Sequence, residues 1–593
     1  MNAPRRPAQM VSKRRLPWTL GGLALCALSL IGTAFSMQVL HRDFYQDQGD
    51  ARFLRDVKVA AARGMISDRS GEPLAISTPM ISLWAEPKAL LTAGANLQPL
   101  AQALGRSLKA LQADLQSHRS KEFYYLRRLL PPEQAERLLA LKLPGLNGQR
   151  EYRRYYPGGE VFAHVIGTTN VDGAGIEGLE NGFDRWLVGS AGSKRVIRDR
   201  RGETVENVEE VRATEPGKEL RLSLDRRLQY LAYRELKAAI LEYGAQSGSM
   251  VILDVATGEI LAMVNAPSFN PNARSQSDAG NRRNRAVTDT FEPGSVIKAF
   301  TVAAGLESGR FTTATQINTH PGTLVVGNHL VRDIHDYGVI DLTRLLTKSS
   351  NVGATRIALA LDDDHFYDVF QRFGFGLTTG SGFPGEVTGN LPAPKGWGQV
   401  EKATLSYGYG LSVTALQLAT AYATLANAGV RHTPTFIKGA PLAEREQPVL
   451  DPAIAKTLLG MLETVTGPDG TAIRARVTNY RVAGKTGTAR KSAVGGYGNR
   501  YLSVFAGLIP VSRPRLAAVV VIHDPIGSVY YGGLVAAPVF GKVMSAAMRQ
   551  LNIAPDDLQP GLLAGSVPVP AGESAPADLA ALAAANAAEG EPL

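Results

Sequence analysis

The sequence predicts an α+β protein held at a membrane by one N-terminal helix, and three observations lead there. A single long apolar run, Leu16 to Leu40, has no charged side chain and follows a stretch carrying Arg5, Arg6, Lys13, Arg14 and Arg15. Short β-branched runs separated by turns lie at both ends of the region 249–548 and enclose helical patterns, the order expected of an antiparallel sheet flanked by helices. The chain has 593 residues, 44% hydrophobic and 20% charged, a globular composition long enough for two or more folded units.

The apolar run exceeds the ~20 residues a helix needs to span hydrocarbon. Basic residues favour the cytoplasmic side, which places the N-terminus inside and everything after His41 outside. A cleaved signal peptide is the rival reading, with small residues Gly32 and Ala34 near the end of the run. The uncharged stretch is longer than a typical signal core, which favours an uncleaved anchor. The only cysteine, Cys26, lies inside the run, so disulfides, cysteine metal sites and cysteine nucleophiles are excluded from the exported part. The 9 histidines are scattered without an HExxH pairing, which predicts no metal. The net charge of +10 would suit an anionic partner, but no nucleic-acid motif accompanies it, and part of the excess sits before the anchor.

Beyond the anchor, residues 41–57 suggest a charged helix leading away from the bilayer. ISDRSGEPLA (Ile66–Ala75) has the pattern of a hairpin, and Leu91 to Leu143 has helical spacing throughout. RRYYPGG (Arg153–Gly159) reads as a turn-rich segment, and GIEGLE (Gly175–Glu180) as a loop entering a helix. A boundary is expected near Asp225. After it come a hairpin from Ser249, helices around Lys298–Leu306, Leu342–Leu361 and Ala415–Ala426, strands at Tyr501–Leu508 and Arg515–Ile522, and a last helix at Val535–Met548. The expected layout is a segment 1–15, the anchor 16–40, a first exported domain 41–225, a second 226–552, and an Ala/Pro/Gly-rich tail 553–593 without stable structure or weakly helical.

Three short elements carry chemistry. FEPGSVIK delivers Ser295 to a predicted first helical turn with Lys298 three residues on, so the amine can approach the hydroxyl from the same face. Serine is a poor nucleophile until a base takes its proton, and a helix N-terminus favours developing negative charge. The second element is Ser349-Ser350-Asn351, before another predicted helix. The third is Lys485-Thr486-Gly487-Thr488, placed just before a sheet edge. Singly these are a helix-surface lysine, a helix cap and a strand end. Together, in this order, they form the signature shared by class A β-lactamases and penicillin-binding proteins.

The chain resembles the class B penicillin-binding proteins, and within them the division-specific D,D-transpeptidase branch. The likeness runs from Ala62 to about Gln550 and includes RGMISDRSGEPLA, RRYYPGG, GIEGLENGFD, RNRAVTDTFEPGSVIK, KSSNVG, SYGYGLSVTALQLATAYATLAN, AGKTGTARK and GGLVAAPVF. It implies an elongated, non-catalytic pedestal of the dimerisation type before a transpeptidase domain with a central antiparallel sheet. It further implies Ser295 as nucleophile, Lys298 as general base, Ser349 as proton carrier to the leaving amine, and Asn351 as the group orienting Lys298 and the substrate amide. Lys485 and Thr488 would hold the donor carboxylate, with Thr486 and Gly487 in the same element. The N–H groups of Ser295 and Thr488 would form the oxyanion hole, and Tyr407, Tyr409 and Arg490 would line the cleft. A lysine acts as base only if its pKa falls, which burial and a second cation such as Lys485 would favour.

The implied substrates are peptidoglycan stem peptides, with β-lactams as covalent inhibitors, no cofactor, and no nucleic acid. The implied setting is the bacterial inner membrane, with a periplasmic catalytic domain at the division site among membrane partners that include a glycan polymerase. Rival functions are an elongation-type or condition-specific paralogue, a class A β-lactamase, a bifunctional synthase, a soluble carboxypeptidase and a silent scaffold. No ExxLN pattern lies between Asn351 and Lys485, no acidic glycosyltransferase motif precedes Asp225, a carboxypeptidase would not need the first exported domain, and the intact motif residues argue against a scaffold.

Overall fold

The computed structural model describes residues 16–45, 54–92, 94–198, 204–493 and 496–558. The basic segment 1–15 and the tail beyond residue 558 lie outside the described residues. The apolar run is helical from Leu16 to Phe35 and continues through one wider turn, Ser36–Leu40. Its 25 residues rise about 37 Å at ~1.5 Å each, more than the ~30 Å of a bilayer core. No side chain of this run is buried against protein, so its apolar surface is left for hydrocarbon.

Two compact units follow. The first contains residues 79–152 and 189–216, together with the chain up to residue 62. In it Leu54–Val59 and Thr204–Arg212 flank Gly192–Arg198 as an antiparallel sheet. Small helices at Pro87–Thr92, Gln98–Ala103 and Leu108–Ser117 pack Leu90, Leu100, Leu111 and Leu115 into a separate core. The helical spacing predicted through Leu143 does not hold throughout: Tyr124–Leu130 is a strand paired with Ile81–Ala85. Its Tyr-Tyr-Leu start suits a half-buried pleated surface, and pairing with a distant strand overrides local spacing.

The second unit takes residues 63–78, 153–188 and everything from Gly217, so the units do not follow a single cut in the chain. Three stretches noted in the sequence meet within it. Glu180 of GIEGLE is fully buried and accepts from Arg63 and from Arg154 of RRYYPGG, each at 2.6 Å, while Arg63 also reaches Asp184 at 2.6 Å. Buried charges persist only when paired in this way. Arg153–Tyr155 closes a strand, Leu146–Tyr155, so the turn in RRYYPGG begins only at Pro157.

The remainder builds one sheet between helices. In chain order its elements are α1 (Arg226–Glu242), β1 (Ser247–Asp254), β2 (Ile260–Ala266), α2 (Lys298–Glu307), α3 (Leu342–Lys348), α4 (Asn351–Ala360), α5 (Ala415–Ala426), β3 (Ala483–Ala493), β4 (Gly496–Ile509), β5 (Leu516–His523) and α6 (Gly532–Gln550). The strands lie β2-β1-β5-β4-β3, every neighbouring pair antiparallel, which puts β3 on an edge. β5 is buried along its whole length because helices cover both faces. All twelve residues of α5 are buried, the mark of a helix inside a core rather than on its surface. Side chains fix where helices begin: Asp225 caps α1, and Thr414 with Gln417 forms a capping box on α5.

Candidate active site

Ser295 stands in a 3₁₀ turn, Gly294–Ile297, that runs directly into α2. Side chains three apart eclipse in such a turn, so Ser295 and Lys298 share a face. The turn is clamped from two sides. Gly294 N–H donates to Gly408 O at 3.1 Å, and a Cβ on Gly408 would lie 2.1 Å from Gly294 O, so only glycine admits this approach. On the other side, a Cβ on Gly487 would lie 2.6 Å from Pro293 O. The glycine of Lys485-Thr486-Gly487 is thus a close-packing residue that lets the edge strand lie against the serine turn. Lys485–Thr488 form part of β3 itself, rather than preceding a sheet edge.

The helical pattern predicted across Leu342–Leu361 is broken in two. Ser349 ends α3 in the left-handed region at φ +62°, and Ser350 starts α4 by accepting from Gly353 N–H at 2.9 Å. That break turns Ser349 and Asn351 toward α2. Lys298 Nζ donates to Ser349 O, to Ser349 Oγ at 3.2 Å and to Asn351 Oδ1 at 2.6 Å. Lys485 Nζ donates to the same Ser349 Oγ at 2.9 Å. With both lone pairs of that oxygen engaged, its own proton is free to be donated. Among the described residues Ser295 Oγ has no hydrogen-bond partner, and it opens into a cleft of about 400 Å³.

Both lysines are fully buried. Burial pushes Lys298 down to about 7, opposed by the Asp333 carboxylate. Lys485 is held well below the ordinary lysine range by burial and by the Lys298 charge. Two buried amines that share one hydroxyl titrate as a pair, and only one of them readily keeps its proton.

The cleft is lined by Ser295, Ser349, Asn351, Thr486, Thr488, Tyr409 and Arg490 of the predicted set. Thr488 Oγ1 accepts from Gly532 N–H at 3.0 Å, which leaves its hydroxyl proton for a ligand. Thr486 Oγ1 meets Thr471 Oγ1 at 2.8 Å. The Arg490 guanidinium lies 6.0 Å from the centre of the Tyr501 ring, and the Arg490 backbone N–H donates to Tyr409 Oη at 3.3 Å. Tyr407 is not among the lining residues. It is buried with Val326, Val331 and Val352, and its hydroxyl sits 3.1 Å from His329 Nε2. Sequence reasoning missed Asp333 and the aromatic wall of Tyr501, Tyr530 and Tyr531, whose rings stack at 3.8 and 4.8 Å. Their positions carry no motif, although Tyr530-Tyr531 immediately precede the GGLVAAPVF stretch.

Comparison with known proteins gives a consistent pattern. Residues 248–545 match the penicillin binding protein transpeptidase domain, and residues 58–222 the penicillin-binding protein dimerisation domain. The peptidoglycan D,D-transpeptidase FtsI of Escherichia coli K12 is 43% identical over 549 residues, covering 91% of this chain and 93% of the relative. The probable peptidoglycan D,D-transpeptidase PbpC of Pseudomonas aeruginosa is 41% identical, covering 90% and 95%. Among solved structures, penicillin binding protein 3 of Mycobacterium tuberculosis complexed with aztreonam aligns with a TM-score of 0.63 at 28% identity, covering 84% of this chain and 98% of that one.

Proposed function

This chain belongs to the class B penicillin-binding proteins, and from that membership we propose that Ser295 is its acylated nucleophile and Lys298 the base that activates it. The enzyme is a peptidoglycan D,D-transpeptidase that cross-links stem peptides through a serine acyl-enzyme in septal wall synthesis and is a target of β-lactams. The observation that carries the residue assignment is the convergence of two buried lysines on Ser349 Oγ beside the open Ser295.

In the proposed cycle, Ser295 Oγ attacks the carbonyl carbon of the penultimate D-Ala and passes its proton to neutral Lys298. The N–H groups of Ser295 and Thr488 receive the oxyanion, a major source of rate in acyl transfer. Ser349 donates its proton to the departing D-Ala nitrogen as the C–N bond breaks, and Lys298 returns a proton to Ser349. An amine of a second stem then attacks the ester, gives a proton to the same relay, and Ser295 leaves as the hydroxyl. Lys485 and the Thr488 hydroxyl hold the donor carboxylate, with Thr486 and Gly487 shaping the strand, Asn351 orienting Lys298, and Tyr409 and Arg490 at the rim. A carboxylate beside Lys485 favours the charge there and so favours loss of the proton from Lys298. A β-lactam follows the first half only, since its ring opens without releasing a leaving group.

The one N-terminal apolar helix among the described residues fits a single-pass inner-membrane protein. Within this reading residues 1–15 are cytoplasmic, 41–225 form the pedestal and 226–552 the periplasmic catalytic domain, located at the division site with a glycan polymerase and other division proteins as membrane partners. The test is mass spectrometry of detergent-solubilised full-length protein after exposure to a penicillin. One adduct on the peptide containing Ser295, absent from Ser295→Ala, is expected. An adduct elsewhere, or one that persists in that variant, overturns the assignment.

A further inference from the structure

We propose that Asp333 is a positioning residue for acyl transfer, pinning the Ser349–Asn351 turn and presenting one negative charge to the buried Lys298. The proposal rests on the roles given above to Ser295 and Lys298. It begins from strain: Ser349 is a non-glycine residue at φ +62°, a conformation that persists only where its surroundings hold it. Asp333 supplies that hold. Its carboxylate accepts from the Ser350 hydroxyl, from Asn351 N–H and from Val352 N–H at 3.0 Å, closing the open N-terminus of α4. The preceding residue completes the clamp, because Arg332 O accepts from Asn351 Nδ2 at 2.8 Å. With the amide nitrogen so engaged, Asn351 Oδ1 is left facing Lys298.

Among the described residues every hydrogen bond of the Lys298 ammonium goes to this turn, so a shift of the turn moves these acceptors together. Asp333 itself is partly buried, and burial raises its carboxyl against several hydrogen bonds and the Lys298 charge that favour ionisation. The ionisable groups that interact around this centre are Lys298 on α2, Lys485 on β3, Asp333, Arg344 on α3, and Tyr337, whose phenol is raised to about 12 by burial and by the Asp333 charge against the opposing Arg344. Asp333 is the acidic member of a group that otherwise contains two amines, a guanidinium and a neutral phenol. Removing its charge favours loss of the Lys298 proton; removing its oxygens releases the turn.

Two variants of the full-length protein separate these effects through the pH profile of β-lactam acylation. Asp333→Asn keeps an oxygen for Asn351 and Val352 N–H but not the charge. Its plateau rate should stay within a few-fold of wild type, while its acid limb moves to lower pH by about one unit. Asp333→Ala loses both functions, and its plateau should fall at least about tenfold, given that misplacing a catalytic group by ~1 Å can cost ~10²-fold. An unmoved or upward-moving acid limb in Asp333→Asn overturns the proposal, as does near wild-type acylation at all pH in Asp333→Ala. A lowered Tm with no kinetic change in the Asn variant shows a purely structural residue and also overturns it. Ser295→Ala run in parallel isolates the underlying reading: an adduct there would indict the nucleophile, not Asp333.

Discussion

At the scale of single residues, the site depends on lysines placed where lysine is costly to charge. Lys298 and Lys485 have no exposed surface, and burial moves both toward neutrality. In the proposed cycle Lys298 takes the Ser295 proton only when neutral, so acylation should rise with pH through about 7, where the Lys298 proton leaves. Lys298→Ala should slow β-lactam acylation by roughly 10²–10⁴-fold with little loss of non-covalent affinity, measured by stopped-flow with a reporter β-lactam. Wild-type rates in that variant would mean another group takes the Ser295 proton. Lys485→Ala should act differently, weakening carboxylate-bearing donors and β-lactams far more than analogues without the charge, because the contact proposed for Lys485 is a charge-assisted hydrogen bond. Equal losses on both ligand sets would assign Lys485 a structural part.

Single elements set how rigidly those residues are held. Ser350 caps α4 at Gly353 N–H while Asp333 takes the two N–H groups before it, so Ser350→Ala should lower stability by about 1 kcal/mol in denaturant unfolding. It should also slow acylation, since the same hydroxyl donates to Asp333. An unchanged midpoint would show that α4 does not need the cap. His523 at the end of β5 and His164 in the short helix Ala163–Ile166 add a pH dependence. His523 packs edge-on against Phe291, His164 Nε2 lies 2.7 Å from Asn281 O, and burial pushes both imidazoles down to about 4. The unfolded chain takes up these protons near pH 6.5 and the folded chain only near 4, so stability falls as pH drops through that window. The expected loss is about 2 kcal/mol per histidine at pH 5 relative to pH 7. A His523→Gln variant should show a flatter Tm against pH, and an equally steep curve would remove His523 from the account.

For the whole molecule, one N-terminal helix among the described residues, with no buried side chain, is long and apolar enough to cross a membrane. The basic residues before it should hold one orientation, so a reporter active only outside the membrane should work when fused after Gln48 and fail when fused before Leu16. Recovery of the mature protein in soluble form would favour a cleaved signal instead.

Local periodicity is written in neighbouring residues, and several features that depend on it were readable: the apolar run, the hairpin of β1 and β2, α5 to the residue, and the three motifs whose members stand within a helical turn of one another. The helix expected over 41–57 was not, since Leu54–Val59 is a strand. Pairing and burial depend on partners far along the chain, and these only the folded molecule decided. Tyr124–Leu130 became a strand because Ile81–Ala85 lies beside it. Lys485 entered an edge strand because β4 pairs with it from the other side of residues 494–495. Tyr407 and Tyr409, two positions apart, went respectively into an apolar cluster and the cleft rim. Asp333 has no motif of its own; it gains a role only where the fold brings its carboxylate to Ser350, seventeen residues on, and removes water from the lysine it faces. Desolvation is what gives these groups their chemistry, and it is a property of the assembled surroundings rather than of any stretch of residues.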